Sequence, residues 1–176
     1  LVVASDIRIG LPTGPEDGGG GDAAAAILTG SSDDGPLLAE YLGGATATGE
    51  FTDRWRTPGS AHSRTWEDRF GEQAYVPLVR RAWADALAST GLTAADVTVA
   101  VATGLHDRAT KKAAAGLGVA VADDRSATVG NAGAAHPALL LADVLDDAAA
   151  GAVVALVVLA DGCEVLLFRT TDALPA

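Results

Sequence analysis

Residues 128–169 read TVGNAGAAHPALLLADVLDDAAAGAVVALVVLADGCEVLLFR, and the order of patterns in this stretch decides the fold class. A loop carrying Gly130 and Asn131 is followed by an apolar helix of small residues, a buried strand, a tight turn and a last strand. Asp161-Gly162 stands between the β-type runs ALVVLA and CEVLLF, the pattern of a two-residue type I′ hairpin. Asn131 sits at the mouth of the helix and is the first polar residue to consider for chemistry.

The pattern continues upstream. Val76, Val79, Trp83 and Leu87 fall at helical spacing within 75–90, with Pro77 expected in the first turn, where its missing N–H is harmless, and Gly91 as terminator. Thr93 to Asp96 reads as a capped turn and 97–102 as a buried strand closed by Thr103-Gly104-Leu105-His106. A short helix over 108–117 ends at Gly118, and 119–122 forms a further short strand. Helices alternating with apolar strands imply an α/β sheet covered on both faces. In such sheets functional groups gather beyond the C-terminal strand ends, where His106 lies.

The first half is more broken. Residues 1–5 suit a buried strand, continued by Ile7 and Ile9 in alternation. Gly18 to Gly21 reads as a turn rather than a phosphate cradle, because no GK[ST] follows. Residues 22–30, DAAAAILTG, read as a strand of small residues, and 37–50 as a glycine-bent β run. Residues 53–70 form an irregular connection whose Trp55, Trp66 and Phe70 anchor a loop or line a ligand channel; His62 lies among its polar residues.

Composition limits the function classes. The chain of 176 residues is 49% hydrophobic but 5% aromatic, so Ala, Val and Leu must build the core. A net charge of −11 argues against nucleic-acid or anionic-membrane binding, which draws on clustered Lys and Arg. One cysteine excludes an internal disulfide and a multi-Cys zinc site, and no metal site is expected. No run reaches the length of a membrane span, and a cytoplasmic location is expected. The opening LVVASDIRIG, a strand already under way, together with the lack of methionine, predicts a piece of a longer protein.

Four pieces, in order, carry a family resemblance: Gly21-Asp22-Ala23-Ala24-Ala25, the run VAVATGLH ending at His106, Val129-Gly130-Asn131-Ala132-Gly133-Ala134-Ala135, and the closing 159–168 hairpin. With these the chain resembles the thiolase superfamily of condensing enzymes, in particular HMG-CoA synthase and ketoacyl-ACP synthase III. It is similar to actinobacterial HMG-CoA-synthase-like proteins associated with an OB-fold acyl-CoA-associated domain. The resemblance implies an α/β, thiolase-like layered fold, with residues 1–36 ending the N-terminal half and 37–176 forming the C-terminal half. It implies an acyltransferase of lipid metabolism that uses acyl-CoA, or an acyl-carrier thioester, as substrate and holds no permanent cofactor. His106 and Asn131 would hold a thioester carbonyl and its enolate, with the helix after Asn131 adding its dipole.

The family's nucleophilic Cys is then expected outside this chain, since Cys163 follows the Asp161-Gly162 turn and reads as structural. His136 reads as structural or channel-lining. Asp107 after His106 either raises the imidazole pKa or caps the next helix. Expected partners are the missing N-terminal half or a second copy, and an OB-fold protein. Apolar faces near Val2, Ile27 and Leu28 would meet that half. The alternative is a non-catalytic thiolase-like scaffold, or an aldolase-type subunit acting with the OB-fold partner.

Overall fold

The computed structural model describes residues 1–174 except Ile9, Leu11 and Thr13, and leaves out the side chains of Pro15, Glu16 and Asp68. The elements in order are β1 (Val2–Asp6), α1 (Pro15–Gly19), β2 (Ala23–Ile27), β3 (Ala39–Thr48), β4 (Arg54–Trp55), β5 (Arg64–Thr65), α2 (Asp68–Thr90), β6 (Val99–Gly104), α3 (Asp107–Ala115), α4 (His136–Asp146), β7 (Val153–Leu159) and β8 (Gly162–Thr170). The expected continuation of the first strand through Ile9 falls outside the described residues.

One four-stranded sheet, in the order β3-β8-β7-β6, organises the chain. β6 and β7 run parallel, with α3 and α4 in the crossover between them, while β7–β8 and β8–β3 are antiparallel. Side chains alternate along each strand. Ala155, Val157, Leu159, Cys163, Val165 and Leu167 pack towards α2 and α3, in a cluster with Val79, Trp83, Ala109 and Ala113. Val101, Val154 and Leu156 point the other way, onto Leu140, Leu141 and Val144 of α4, where Ile27, Leu166 and Phe168 join them. Strands apolar on both faces thus lie between two layers, which is the α/β sheet the helix–strand alternation implied. Each fully buried Leu or Val here contributes about 1.5–3 kcal/mol. Among the described residues no helix is long and apolar enough to cross a membrane.

Several boundaries differ from the sequence expectation. Helix α2 begins at Asp68, so Pro77 lies well inside it rather than in its first turn. Proline in a helix interior removes one i→i−4 hydrogen bond; the buried faces of Tyr75, Val79 and Trp83 on either side hold the helix against the sheet regardless. Gly91, left-handed at φ 69°, terminates it as expected. Helix α3 ends at Gly116 rather than Gly118. The run 119–122 makes a single parallel bridge, Val121 to Ala100, instead of a strand.

The β7–β8 turn also departs from type I′. Leu159 pairs with Cys163, leaving three residues in the loop, with Asp161 at its tip (φ 50°) and Gly162 at φ 146°. A Cβ on Gly162 would lie 2.6 Å from the Ala47 carbonyl oxygen of β3. The glycine is therefore needed for close strand approach as well as for its backbone angle.

The N-terminal strands are the main correction. β1 and β2 form their own antiparallel ribbon beside the sheet, and β1 is not buried: Val2 is 59% and Val3 65% exposed. Leu28 is 82% exposed, whereas Ile27 packs on the α4 cluster. Of the three positions expected on an open apolar face, two are open and one is covered.

Candidate active site

The C-terminal end of β6 and the loop before α4 meet at a cavity of about 940 Å³, lined by Thr103, Gly104, His106, Asn131 and His136 among others. The tryptophans of the 53–70 connection line its far side. Their rings lie 5.7 Å apart, and Trp66 packs in turn on Phe70. They both anchor the loop and wall the channel.

His106 lies two residues beyond the end of β6 and serves as the N-cap of α3. Its Nδ1 accepts the Ala109 backbone N–H at 3.2 Å. A ring nitrogen that accepts carries no proton, so the neutral ring holds its hydrogen on Nε2. Nε2 is buried and has no hydrogen-bond partner among the described residues. It lies against Gly71 in the first turn of α2, where a Cβ would come within 2.1 Å of Nε2 and Cδ2. Asp107 is not the cap expected of it: the cap is the imidazole, and the Asp107 carboxylate pairs with Lys111, 2.7 Å off on the outer face of α3.

Asn131 is anchored at both ends of its amide. Nδ2 donates to the Gly104 carbonyl at 3.0 Å, and Oδ1 accepts from Gly133 N at 2.9 Å. Its backbone is strapped to the segment before β2: Asn131 N donates to Gly19 O at 2.8 Å, and Gly21 N donates to Asn131 O at 3.0 Å. Three of the four quoted sequence pieces therefore converge here, since Gly104 precedes His106 by two residues. An amide nitrogen carries two N–H groups, and Gly104 takes one. Asn131 does not open α4, because a 3-10 turn over Gly133–Ala135 intervenes. The expected dipole contribution from that helix at Asn131 falls away, as the effect is confined to the terminal turn.

His136, 1% exposed, is both structural and cavity-lining. Its Nε2 meets the Asp124 carbonyl at 2.9 Å, so Nε2 is the protonated nitrogen, and Nδ1 is left buried without a partner. Burial, opposed by that hydrogen bond, lowers its pKa. The unfolded chain, with a histidine pKa of about 6.5, then binds a proton that the native protein resists, and stability falls as pH drops below that value. The urea midpoint should decrease from pH 7.5 to 5.5, and His136→Gln should flatten that dependence. An equal slope in the variant would remove His136 as its source.

Cys163 is 2% exposed and faces α2 within the core. Burial pushes its thiol up to about 12, which suppresses the reactive thiolate. Cys163→Ala should carry only a small packing cost, and iodoacetamide should label Cys163 only after unfolding. Rapid alkylation of the native protein would contradict this placement. His62 keeps to its loop, where its backbone pairs with the Ser60 hydroxyl.

Sequence reasoning missed the α2 contribution. Gly71 and Tyr75 both face His106, the Tyr75 ring centroid lying 6.3 Å from the imidazole's. Burial, then the charge of Asp53, pushes the Tyr75 phenol well above its ordinary pKa, so it stays neutral. Glu72, a carboxylate 9% exposed, reaches α3. The only signal was the FGEQAY run directly before the recognised amphipathic pattern.

No family model and no curated protein matches the chain in sequence. Solved structures do. An HMG-CoA synthase complexed with CoA superposes with a TM-score of 0.62 at 15% identity, covering 96% of this chain and 48% of that one. The 3-oxoacyl-[acyl-carrier-protein] synthase III of Aquifex aeolicus VF5 gives 0.59 at 15% identity, covering 77% and 46%. The corresponding enzyme of Pseudomonas aeruginosa PAO1 gives 0.53 at 18%, covering 77% and 45%. The fold is thiolase-like, and the chain spans less than half the length of these condensing enzymes.

Proposed function

We propose that the chain is the C-terminal part of a condensing enzyme of the thiolase superfamily, related to HMG-CoA synthase and ketoacyl-ACP synthase III, that joins acyl units through their thioesters. One observation carries this: His106 and Asn131, from separate segments, are tied to the same strand end and line one cavity, and each keeps one N–H that the protein does not use. Two neutral donors suit an oxygen that gains charge during reaction. On this reading the α-carbon of one thioester gives its proton to a general base outside this chain, and the negative charge moves onto its carbonyl oxygen between the two donors. The carbon then attacks the acyl group held on a nucleophilic cysteine, whose thiolate leaves. That cysteine belongs to the missing N-terminal half, since Cys163 is buried and protonated. CoA as carrier is supported by the HMG-CoA synthase likeness, whose structure holds CoA.

A second reading has one observation in its favour. His106 Nε2 is shut off from solvent by the first turn of α2, so an oxygen reaches it only when that turn gives way. A thiolase-like scaffold paired with an OB-fold partner would need no such movement, whereas an aldolase-type subunit would share it. Paired substitution of His106 and Asn131 in the full-length protein separates the two: a condensing enzyme loses carbon–carbon bond formation, while a scaffold shows none to lose.

A further inference from the structure

Helix α3 starts one residue after His106, so whatever fixes its first turn also fixes the ring that caps it. A carboxylate this buried is costly unless it is paired, and both partners of Glu72 come from α3. Lys112 Nζ lies 2.5 Å from Oε2, and the Arg108 guanidinium meets Oε1. Arg108 and Lys112 are four residues apart and so share one side of α3. The hydrogen bond from Lys112, opposed by burial and aided by the Arg108 charge, holds the Glu72 carboxyl below its ordinary pKa. By contrast, the Asp107–Lys111 pair on the same helix is exposed and local. The Glu72 pairs cross between helices, and the residue beside Glu72 is Gly71, the surface on which the imidazole rests.

From this arrangement we infer that Glu72 is a positioning residue for His106. By clamping the first turn of α3 to α2 through Arg108 and Lys112, it keeps the Ala109 N–H on Nδ1 and the ring proton on Nε2. The inference deepens the reading of His106 as an Nε2–H donor and rests on it for its catalytic meaning. When the clamp is released, the first turn of α3 can move away from the ring. Nδ1 then loses its fixed donor, and the two neutral tautomers become comparable. A general stabilising ion pair would have no such effect on one particular imidazole.

The test is a long-range proton–nitrogen correlation spectrum of the imidazoles in the uniformly labelled chain. There are three histidines, and the His106 signals are identified by their loss in His106→Gln. In the native protein His106 should show one bare and one protonated nitrogen, well separated. In Glu72→Gln the two His106 resonances should move together towards a tautomer average, while His62 and His136 stay in place. Lys111→Gln, which breaks only the exposed pair, should change nothing. If Glu72→Gln unfolds the chain, all three patterns collapse together and Lys112→Gln decides, with the same movement expected at His106. A single Nε2–H tautomer persisting in the folded variant overturns the inference. The measurement needs no substrate: a tautomer shift in the chain, with no condensing activity in the full-length protein, sinks the functional reading and leaves the positioning role. An unmoved tautomer in an active protein does the reverse.

Discussion

His106→Ala and Asn131→Ala should each slow carbon–carbon bond formation by roughly 10², and the double substitution should slow it little further. The expectation rests on the proposed roles of the two residues. Both side chains are tied to the end of β6, Asn131 through Gly104 and His106 by being the next residue but one. Two donors converging on one oxygen act as a unit, because that oxygen must sit correctly for both. With one donor gone, the other holds a misplaced group and contributes little. Transfer of the acyl group onto the upstream nucleophile should suffer much less, since charge then develops on a different carbonyl. Separate assays of the two half-reactions in the full-length protein make the comparison. Independent losses that multiply to about 10⁴ in the double variant would mean that the residues serve different groups.

Gly71→Ala should destabilise the protein by about 1–3 kcal/mol, the usual cost of overpacking, even though alanine is favoured over glycine by about 1 kcal/mol within a helix. Propensity and packing oppose each other here, and the distance decides between them. A Cβ placed 2.1 Å from the His106 ring cannot be accommodated without turning the imidazole or lifting the first turn of α2. Either movement also displaces the proposed donor, so condensation should fall along with stability. Urea titration beside the condensation assay reads both. An unchanged or raised midpoint would show that the turn yields easily and that the ring is not held there.

Much of the fold was legible because its signals are local. The 3.6-residue spacing of Val76, Val79, Trp83 and Leu87 marked α2, and the unbroken apolar run of β7 marked a strand covered on both faces. Asp161-Gly162 marked a hairpin. The turn type was missed because strand register, set by the pairing of β8 with both neighbours, overrides the local dipeptide preference. Burial of the first strand was misjudged for a similar reason. Residues 1–5 are apolar enough for a core, but apolarity does not say which surface covers them.

The site was half legible. His106 and Asn131 were found through strand-end and loop positions together with the family resemblance. Neither position reveals that His106 spends Nδ1 on a helix cap, or that the α4 dipole stops short of Asn131. Gly71 and Glu72 had no signal beyond the FGEQAY run, because their roles depend on α2 crossing α3, and nothing in a helical pattern records which side chains meet across a gap of 34 or more residues.

Among the described residues the four-stranded sheet ends on β3, whose outer row of backbone N–H and C=O groups has no neighbour there. Such a row is a template on which a second chain can extend the sheet, and long, flat edges invite aggregation. β3 is ten residues long, but the register shift between Tyr41 and Gly43 divides it into two shorter pieces. The kink twists the two pieces out of line, so an incoming strand cannot pair along the whole length. The glycine-bent stretch that looked merely permissive in the sequence thus also guards this edge against stacking.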